Sequence, residues 1–248
     1  MDTAPRRVEH QQTDKGYVPV YTTSVVTQPW ESYSADDHAT WGTLYARQRE
    51  LLVGRACDEF LQAQDAMGMT PQAIPRFDDL NAVLQATTGW TLVGVEGLLP
   101  ELDFFDHLAN RRFPVTWWIR RPEQIDYIAE PDLFHDLFGH VPLLMNPLFA
   151  DYMQAYGRGG VKAHAIGPEA LQNLTRLYWY TVEFGLIDTP TACASTAPAS
   201  SRPRANRCTR WSRTHPTASA STCSGSCAPA TASTPTRRPT SSSTASNS

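Results

Sequence analysis

The sequence predicts a mainly α-helical domain with a few short strands, followed by a tail of a different kind. Apolar residues recur at helical spacing in several segments of residues 29–188, which indicates amphipathic helices. Only residues 90–95 and 113–119 have the β-branched and aromatic composition that is typical of strands. From residue 189 onward there is no Leu, Ile, Val, Met, Phe or Tyr. We therefore predict a polar N-terminal arm (1–28), a folded domain (29–188) and a low-complexity tail (189–248).

The first helices of the domain are predicted from their start signals. One begins after Ser34, where acidic residues follow in the first turn and interact favourably with the helix dipole. Thr70-Pro71 and Asp78-Asp79 indicate two more helix starts, and the second of these helices stops at Gly89. Between the two predicted strands, residues 102–110 form another helix. The apolar face of the first helix consists of Trp41, Leu44, Tyr45, Leu51 and Leu52.

Two later helices have clearer boundaries. Pro131 favours a helix start, and Gly139 is a natural end for the short helix that follows. Pro168 opens the most strongly amphipathic segment, which we expect to run to Leu186. Its apolar stripe consists of Leu171, Leu174, Leu177, Tyr178, Thr181 and Val182.

Charge and composition exclude some functional classes. Residues 1–188 contain all 25 acidic and 14 of the 21 basic residues, a net charge of −11, which argues against a nucleic-acid partner. No segment resembles a signal peptide or a membrane span, and Cys57 is the only cysteine before the tail. We expect a cytoplasmic monomer that binds a small molecule, with no nucleic acid or membrane partner.

The tail cannot build a core of its own. Ser, Thr and Ala make up 37 of its 60 residues, and its seven arginines give it a charge of +7. Such a segment buries too little apolar surface to offset chain entropy, so we predict that it is disordered.

A pair of histidines lies near the end of the short helix. His135 and His140 are five residues apart, which on an ideal helix is a rotation of about 140° and places them on different faces. If the helix ends at Gly139, His140 can turn back beside His135. The pair alone is weak support for a metal site.

Glu183 makes a metal site more convincing, because nearly all of its sequence neighbours are apolar or aromatic. A carboxylate buried there needs a cation or a proton, and the simpler alternatives are an ion pair with Arg176 or exposure to solvent. Two imidazoles and one carboxylate form the facial triad of non-haem iron(II) enzymes. Zinc hydrolases use the same ligand types, but their His-Glu-x-x-His helix is absent from this sequence.

Residues 130–142 and 177–186 resemble the two signature segments of the biopterin-dependent aromatic amino acid hydroxylases. Residues 37–48 also resemble the short bacterial phenylalanine 4-monooxygenases, and the similarity extends over roughly residues 33–186. The resemblance implies the catalytic-domain fold of that family. It also implies the hydroxylation of L-phenylalanine to L-tyrosine with O2, a tetrahydropterin such as tetrahydrobiopterin, and iron(II).

The same resemblance assigns roles to individual residues. His135, His140 and Glu183 match the iron ligands, and Arg120 matches the arginine that binds the substrate carboxylate. Arg120 beside Arg121 would otherwise be interpreted as part of a solvated basic surface, and the aromatic residues as core. The substrate ring is expected against Pro131, Trp179 and Phe184, and the pterin near Leu99, Phe104, Asp136 and Tyr178. Asp136 occupies the position of a Glu in the animal enzymes, and Ile128 that of a Thr.

The tail is better explained by a shift of reading frame than by a functional disordered segment. The family continues after its glutamate with a loop that contains Tyr-Gly-Ala-Gly, and the tail as written does not. If each codon begins at the third base of the written one, permitted codons for residues 193–200 encode Leu-Arg-Ile-Tyr-Gly-Ala-Gly-Ile. Residues 217–223 can likewise encode Asn-Arg-Ile-Gly-Phe-Asp-Leu, and residues 231–248 a third family-like segment. We therefore predict that the C-terminal part of the fold is missing or scrambled.

Three alternatives stay open from the sequence alone. Tyrosine or tryptophan could be the substrate in place of phenylalanine. The frameshifted product could be a catalytically impaired metal-binding protein, and the ligands could hold zinc in a hydrolase.

Overall fold

The computed structural model describes residues 11–13, 16–18, 20–188 and 193–195. It contains a three-stranded sheet, formed by β3 (Val25–Val26), β4 (Thr91–Val95) and β5 (Arg112–Thr116) in that order. β3 is antiparallel to β4, whereas β4 and β5 are parallel, with Gly94 opposite Val115. The predicted mainly helical fold with a few short strands is confirmed.

Seven α-helices accompany this sheet in the described part of the chain. Several of them agree with the sequence prediction, whereas α2 and α6 were not predicted from the sequence. Their bounds are α1 (Ala35–Leu52), α2 (Asp58–Ala66), α3 (Phe77–Thr87), α4 (Glu101–Ala109), α5 (Leu133–Gly139), α6 (Pro147–Ile166) and α7 (Pro168–Tyr178).

Parts of the predicted arm and tail form strands. β1 (Gln11–Thr13) pairs with β2 (Gly16–Val18), and the arm also contributes β3 to the three-stranded sheet. β6 (Leu186–Asp188) pairs with β7 (Cys193–Ser195), which takes three residues of the tail. The predicted disorder of residues 189–192 and 196–248 lies outside the described residues.

Helix α1 begins where the sequence indicates. The Ser34 hydroxyl accepts a hydrogen bond from the Asp37 backbone N–H, while the Asp37 side chain accepts one from the Ser34 backbone N–H, which forms a capping box. Thr70-Pro71, in contrast, does not start a helix. The Thr70 carbonyl instead accepts a hydrogen bond from the Trp41 indole, and the Met69 carbonyl accepts one from the Tyr45 hydroxyl, so side chains of α1 hold this segment as a loop.

The core is aromatic where α5 meets α1. Phe134 packs edge-on against Trp41 and stacks on Phe138, while Phe138 meets Tyr45 edge-on. Leu133 and Leu137 are completely buried beside them. One face of the short helix is therefore fixed in the core, which leaves His135 and Asp136 on the other face.

Helices α4 and α6 approach each other closely because α6 has glycines at the contact. A methyl group at Gly160 would lie 2.1 Å from the Phe105 ring, and one at Gly157 would lie 2.3 Å from the Ala109 backbone nitrogen. Phe105 is on α4, the helix that connects the parallel strands β4 and β5 and also carries Phe104. No helix of the described residues is long and apolar enough to span a bilayer.

Candidate metal centre

Three side chains that were predicted as metal ligands meet at one point. The Nε2 atom of His135 lies 3.0 Å from Glu183 Oε1, and the Nε2 atom of His140 lies 3.1 Å from Glu183 Oε2. All three potential ligand atoms lie within 4.8 Å of one another. The alternative of an ion pair between Glu183 and Arg176 is not what the structure shows, since Arg176 donates to Asn173 instead.

The helix end between the histidines explains how they meet. α5 stops at Gly139, and His140 is its C-cap residue with a φ of −115°. The two imidazole rings are consequently 4.8 Å apart between centroids, at a steep angle to each other. The predicted turn of His140 towards His135 is thus what the structure shows.

Glu183 reaches the histidines from a different kind of helix. α7 ends at Tyr178, and a π-helical segment, Trp179–Glu183, follows it directly. The predicted regular helix up to Leu186 is therefore wrong in its last part. A π-helical turn contains an additional residue, and such turns are frequent at functional sites.

Asp136 fixes the orientation of His135. Its Oδ1 atom accepts a hydrogen bond from His135 Nδ1 at 3.1 Å, and its Oδ2 atom accepts one from the backbone N–H of Thr116 at 2.8 Å. With the Nδ1 proton directed at Asp136, the Nε2 atom points towards Glu183 and is the atom available to a metal ion. Asp136 was predicted beside the pterin, and the structure adds this contact with a predicted metal ligand.

The electrostatics of the centre favour a cation. Burial opposes a charge on His135, but its hydrogen bonds to Asp136 and Glu183 outweigh burial and raise its pKa to about 10. Burial alone would likewise raise the pKa of Glu183, yet His140 and the bond from His135 hold that pKa far below its usual value. In the metal-free protein this positive charge is the proton on His135, which a metal ion bound between the same groups would displace. Two imidazole nitrogens and one carboxylate fit iron(II) and leave further positions for exchangeable ligands.

Arg120 is buried rather than part of a solvated basic surface. Its side chain is 1% exposed, and its Nε and Nη2 atoms donate to the two carboxylate oxygens of Asp132 at 2.8 and 2.9 Å. Asp132 also accepts from the backbone N–H of His135 and so caps α5. The Nη1 atom of Arg120 is buried with no hydrogen-bond partner among the described residues. Asp132 was not predicted from the sequence, although an acidic residue at a helix N-cap is a recognisable signal.

The remaining predicted site residues form two aromatic pairs. Phe104 and Tyr178 meet edge-on with centroids 5.5 Å apart, and Trp179 lies 4.6 Å from Phe184. Tyr178 has a strongly raised pKa, because it is buried and because the charges of Glu183 and Asp136 are close to it. Leu99 and Pro131 are half-buried and directly precede Pro100 and Asp132, the N-cap residues of α4 and α5.

Comparison with known proteins identifies the family. The profile of the biopterin-dependent aromatic amino acid hydroxylases matches residues 19–197. Phenylalanine-4-hydroxylase of Chromobacterium violaceum is 64% identical over 163 residues, which are 66% of this chain and 54% of the relative. The enzyme of that name from Pseudomonas aeruginosa is 47% identical over 157 residues, which are 63% of this chain and 59% of the relative. The chain spans about half the length of the curated relatives it matches.

Solved structures agree with this assignment. The Chromobacterium violaceum phenylalanine hydroxylase with bound iron(III) and 7,8-dihydrobiopterin has a TM-score of 0.69 and 56% identity, covering 74% of this chain and 68% of that one. A structure of the same enzyme with iron and phenylalanine has a TM-score of 0.67 and 55% identity, covering 73% and 66%. The chain therefore belongs to the biopterin-dependent aromatic amino acid hydroxylases.

Proposed function

We propose that the protein, in its intact reading frame, hydroxylates L-phenylalanine to L-tyrosine with O2 and a tetrahydropterin at an iron(II) centre. The observation that carries this proposal is the convergence of His135, His140 and Glu183 within 4.8 Å. It is supported by 64% identity to a phenylalanine-4-hydroxylase and by relatives whose structures contain iron, dihydrobiopterin and phenylalanine. Iron(II) and the pterin would supply the oxidising chemistry when bound.

The residues of this chain bind and orient the reactants. His135, His140 and Glu183 hold the metal, and Asp136 keeps the Nε2 atom of His135 turned towards it. Arg120 binds the substrate carboxylate through Nη1, because its Nε and Nη2 atoms already donate to Asp132 whereas Nη1 has no hydrogen-bond partner among the described residues. A buried guanidinium is suited to this task, since a carboxylate that pairs with it gains more in a dry site than in water.

The aromatic pairs complete the site. Trp179 and Phe184, together with Pro131, form a wall for the substrate ring, and Phe104 and Tyr178, with Leu99, form a wall for the pterin. Their flat apolar surfaces bind planar rings and exclude water from them. We propose phenylalanine rather than tyrosine or tryptophan as the substrate, because both relatives at 64% identity are named phenylalanine-4-hydroxylase.

We further propose that the chain as written is impaired, because its tail is encoded out of frame. Several large apolar side chains near Glu183 are exposed in the described residues: Leu177 (44%), Trp179 (55%), Tyr180 (72%) and Leu186 (41%). The tail of the written chain has no large aliphatic side chain to cover them. In the shifted frame, permitted codons for the segments after residue 192 can encode Ile, Leu, Tyr and Phe.

Expression of both frames tests the function. The frame-restored protein with iron(II), tetrahydropterin, O2 and L-phenylalanine should form tyrosine, and the written chain should form much less. Glu183→Ala should bind iron weakly and lose hydroxylation. Hydroxylation of tyrosine or tryptophan alone would correct the substrate, whereas stoichiometric zinc with hydrolase activity and no pterin oxidation would overturn the class. The monomeric state and the cytoplasmic location stay predictions.

A further inference from the structure

The π-helical segment that ends at Glu183 needs a physical explanation. Helix α7 and the segment Trp179–Glu183 form one continuous helical stretch, and the Phe184 N–H donates to the Trp179 carbonyl five residues earlier at 3.0 Å. Neither proline nor glycine occurs between residues 169 and 184, so the usual backbone causes of an irregular helix are absent there. The additional residue changes the direction of Glu183 by about 100°, the angle that one residue occupies in an α-helix.

The side chain of Thr181 lies in the middle of this segment and makes two hydrogen bonds. Its hydroxyl donates to the Leu177 carbonyl, four residues earlier, at 2.7 Å. Its oxygen also lies 2.9 Å from the Tyr152 hydroxyl on α6. Because the Thr181 proton is used on Leu177, Tyr152 must be the donor in the second bond. The chain Tyr152–Thr181–Leu177 thus ties the π-helical segment to the neighbouring helix.

A hydrogen bond from threonine to the carbonyl four residues earlier is not sufficient by itself. Thr175 makes the same bond to Leu171 at 3.1 Å in the regular part of α7, and Thr43 makes one to Ala39 in α1. Such bonds compete with the backbone for the carbonyl and bend helices only slightly. Thr181 differs because a second helix holds its hydroxyl in place.

We propose that Thr181, anchored by Tyr152, is a positioning residue that maintains the π-helical turn and thereby directs Glu183 at His135 and His140. Val182, which is 2% exposed, fixes the segment on the core side. Glu183 follows two residues after Thr181, so a return to α-helical geometry at Thr181 moves the carboxylate away from the imidazoles. This proposal rests on the proposed metal site.

Cobalt(II) binding tests the proposal without the need for activity. Co2+ is titrated into the frame-restored protein and its variants, and the dissociation constant and the visible ligand-field spectrum are recorded. Thr181→Val, which keeps the shape but removes the hydroxyl, should weaken binding by about 10-fold or more, the range for residues that orient ligands. Its spectrum should approach that of Glu183→Gln. Thr181→Ser should restore both readouts, and Tyr152→Phe should cause a smaller loss in the same direction.

Thr175→Val is the matched control, since it removes the same type of bond from the same helix. Thr175→Val should bind Co2+ with the same affinity as the unchanged protein. Thr175→Val and Thr181→Val should lower the melting temperature by similar, small amounts. The proposal is overturned if Thr181→Val keeps the affinity and spectrum of the unchanged chain, if Thr175→Val weakens binding equally, or if Thr181→Ser fails to restore it. A lack of Co2+ binding by the unchanged frame-restored protein would overturn the metal site itself and this proposal with it.

Discussion

Removal of the charge on Asp132 is expected to be among the most damaging single changes in the chain. Asp132 is completely buried and accepts hydrogen bonds from the Arg120 side chain, from the Arg120 backbone N–H and from the His135 backbone N–H. Asp132→Asn leaves the guanidinium of Arg120, only 1% exposed, without a counter-charge. Breaking a buried pair in this way costs about 3–5 kcal/mol, because the remaining charge stays buried.

Urea unfolding of the frame-restored protein, followed by tryptophan fluorescence, measures this loss. A cost of about 3–5 kcal/mol is a large fraction of the roughly 5–15 kcal/mol that stabilises a typical domain. The urea concentration at which half of the protein is unfolded should therefore be much lower for Asp132→Asn. Asp126→Asn is the matched control, because Asp126 pairs with Arg47 at 2.7 Å but is 75% exposed. An exposed pair contributes about 0–1 kcal/mol. Equal losses for the two variants would refute the argument from burial.

Three further predictions follow from packing, ionisation and the reading frame. Gly160→Ala should destabilise the fold by about 1–3 kcal/mol in urea unfolding, because the new methyl group meets the Phe105 ring at 2.1 Å, whereas Gly159→Ala, 3.7 Å from Leu174, should be neutral or stabilising. Burial opposes the charge on Asp132, but Arg120 holds its pKa below the usual value. Its contribution is therefore present at neutral pH and lost as the pH falls below about 4, and Asp132→Asn should flatten that acid limb of the stability curve. Restoring the frame after residue 188 should raise the melting temperature and sharpen the transition, and an unchanged melt would contradict the frameshift.

The sequence predicts those elements whose signals are local. α1 follows from a capping box at Ser34 and an apolar face around Trp41, both of which can be identified without knowledge of the fold. α6 is not predicted, because three glycines between residues 157 and 160 interrupt the helical pattern. In the structure two of these glycines allow the close approach of α4, which only the tertiary packing explains.

The same distinction applies to the site. His135, His140 and Glu183 are predicted from residue type, buried surroundings and family resemblance, and the structure brings them together. The bond between Asp132 and Arg120 joins residues 12 positions apart, and the one between Tyr152 and Thr181 joins residues 29 positions apart. No local pattern indicates such partners. The π-helical turn was missed for a similar reason, since its sequence continues the α-helical stripe without a proline or glycine.

The exposed apolar surface beside Glu183 connects the fold to the reading frame. Trp179 and Tyr180 are 55% and 72% exposed, and they are the first two residues of the π-helical turn that ends at Glu183. At about 25 cal/mol per Å2, covering roughly 300 Å2 of such surface contributes about 7.5 kcal/mol, which is comparable with the net stability of a whole domain. Written as Ser, Thr, Ala and Arg, the tail cannot supply that contribution, whereas the shifted frame provides aliphatic and aromatic residues that can. We therefore expect the frame after residue 188 to determine whether Glu183 is held on a fixed support. Metal affinity should then be higher in the frame-restored protein, even though all three proposed ligands precede residue 188.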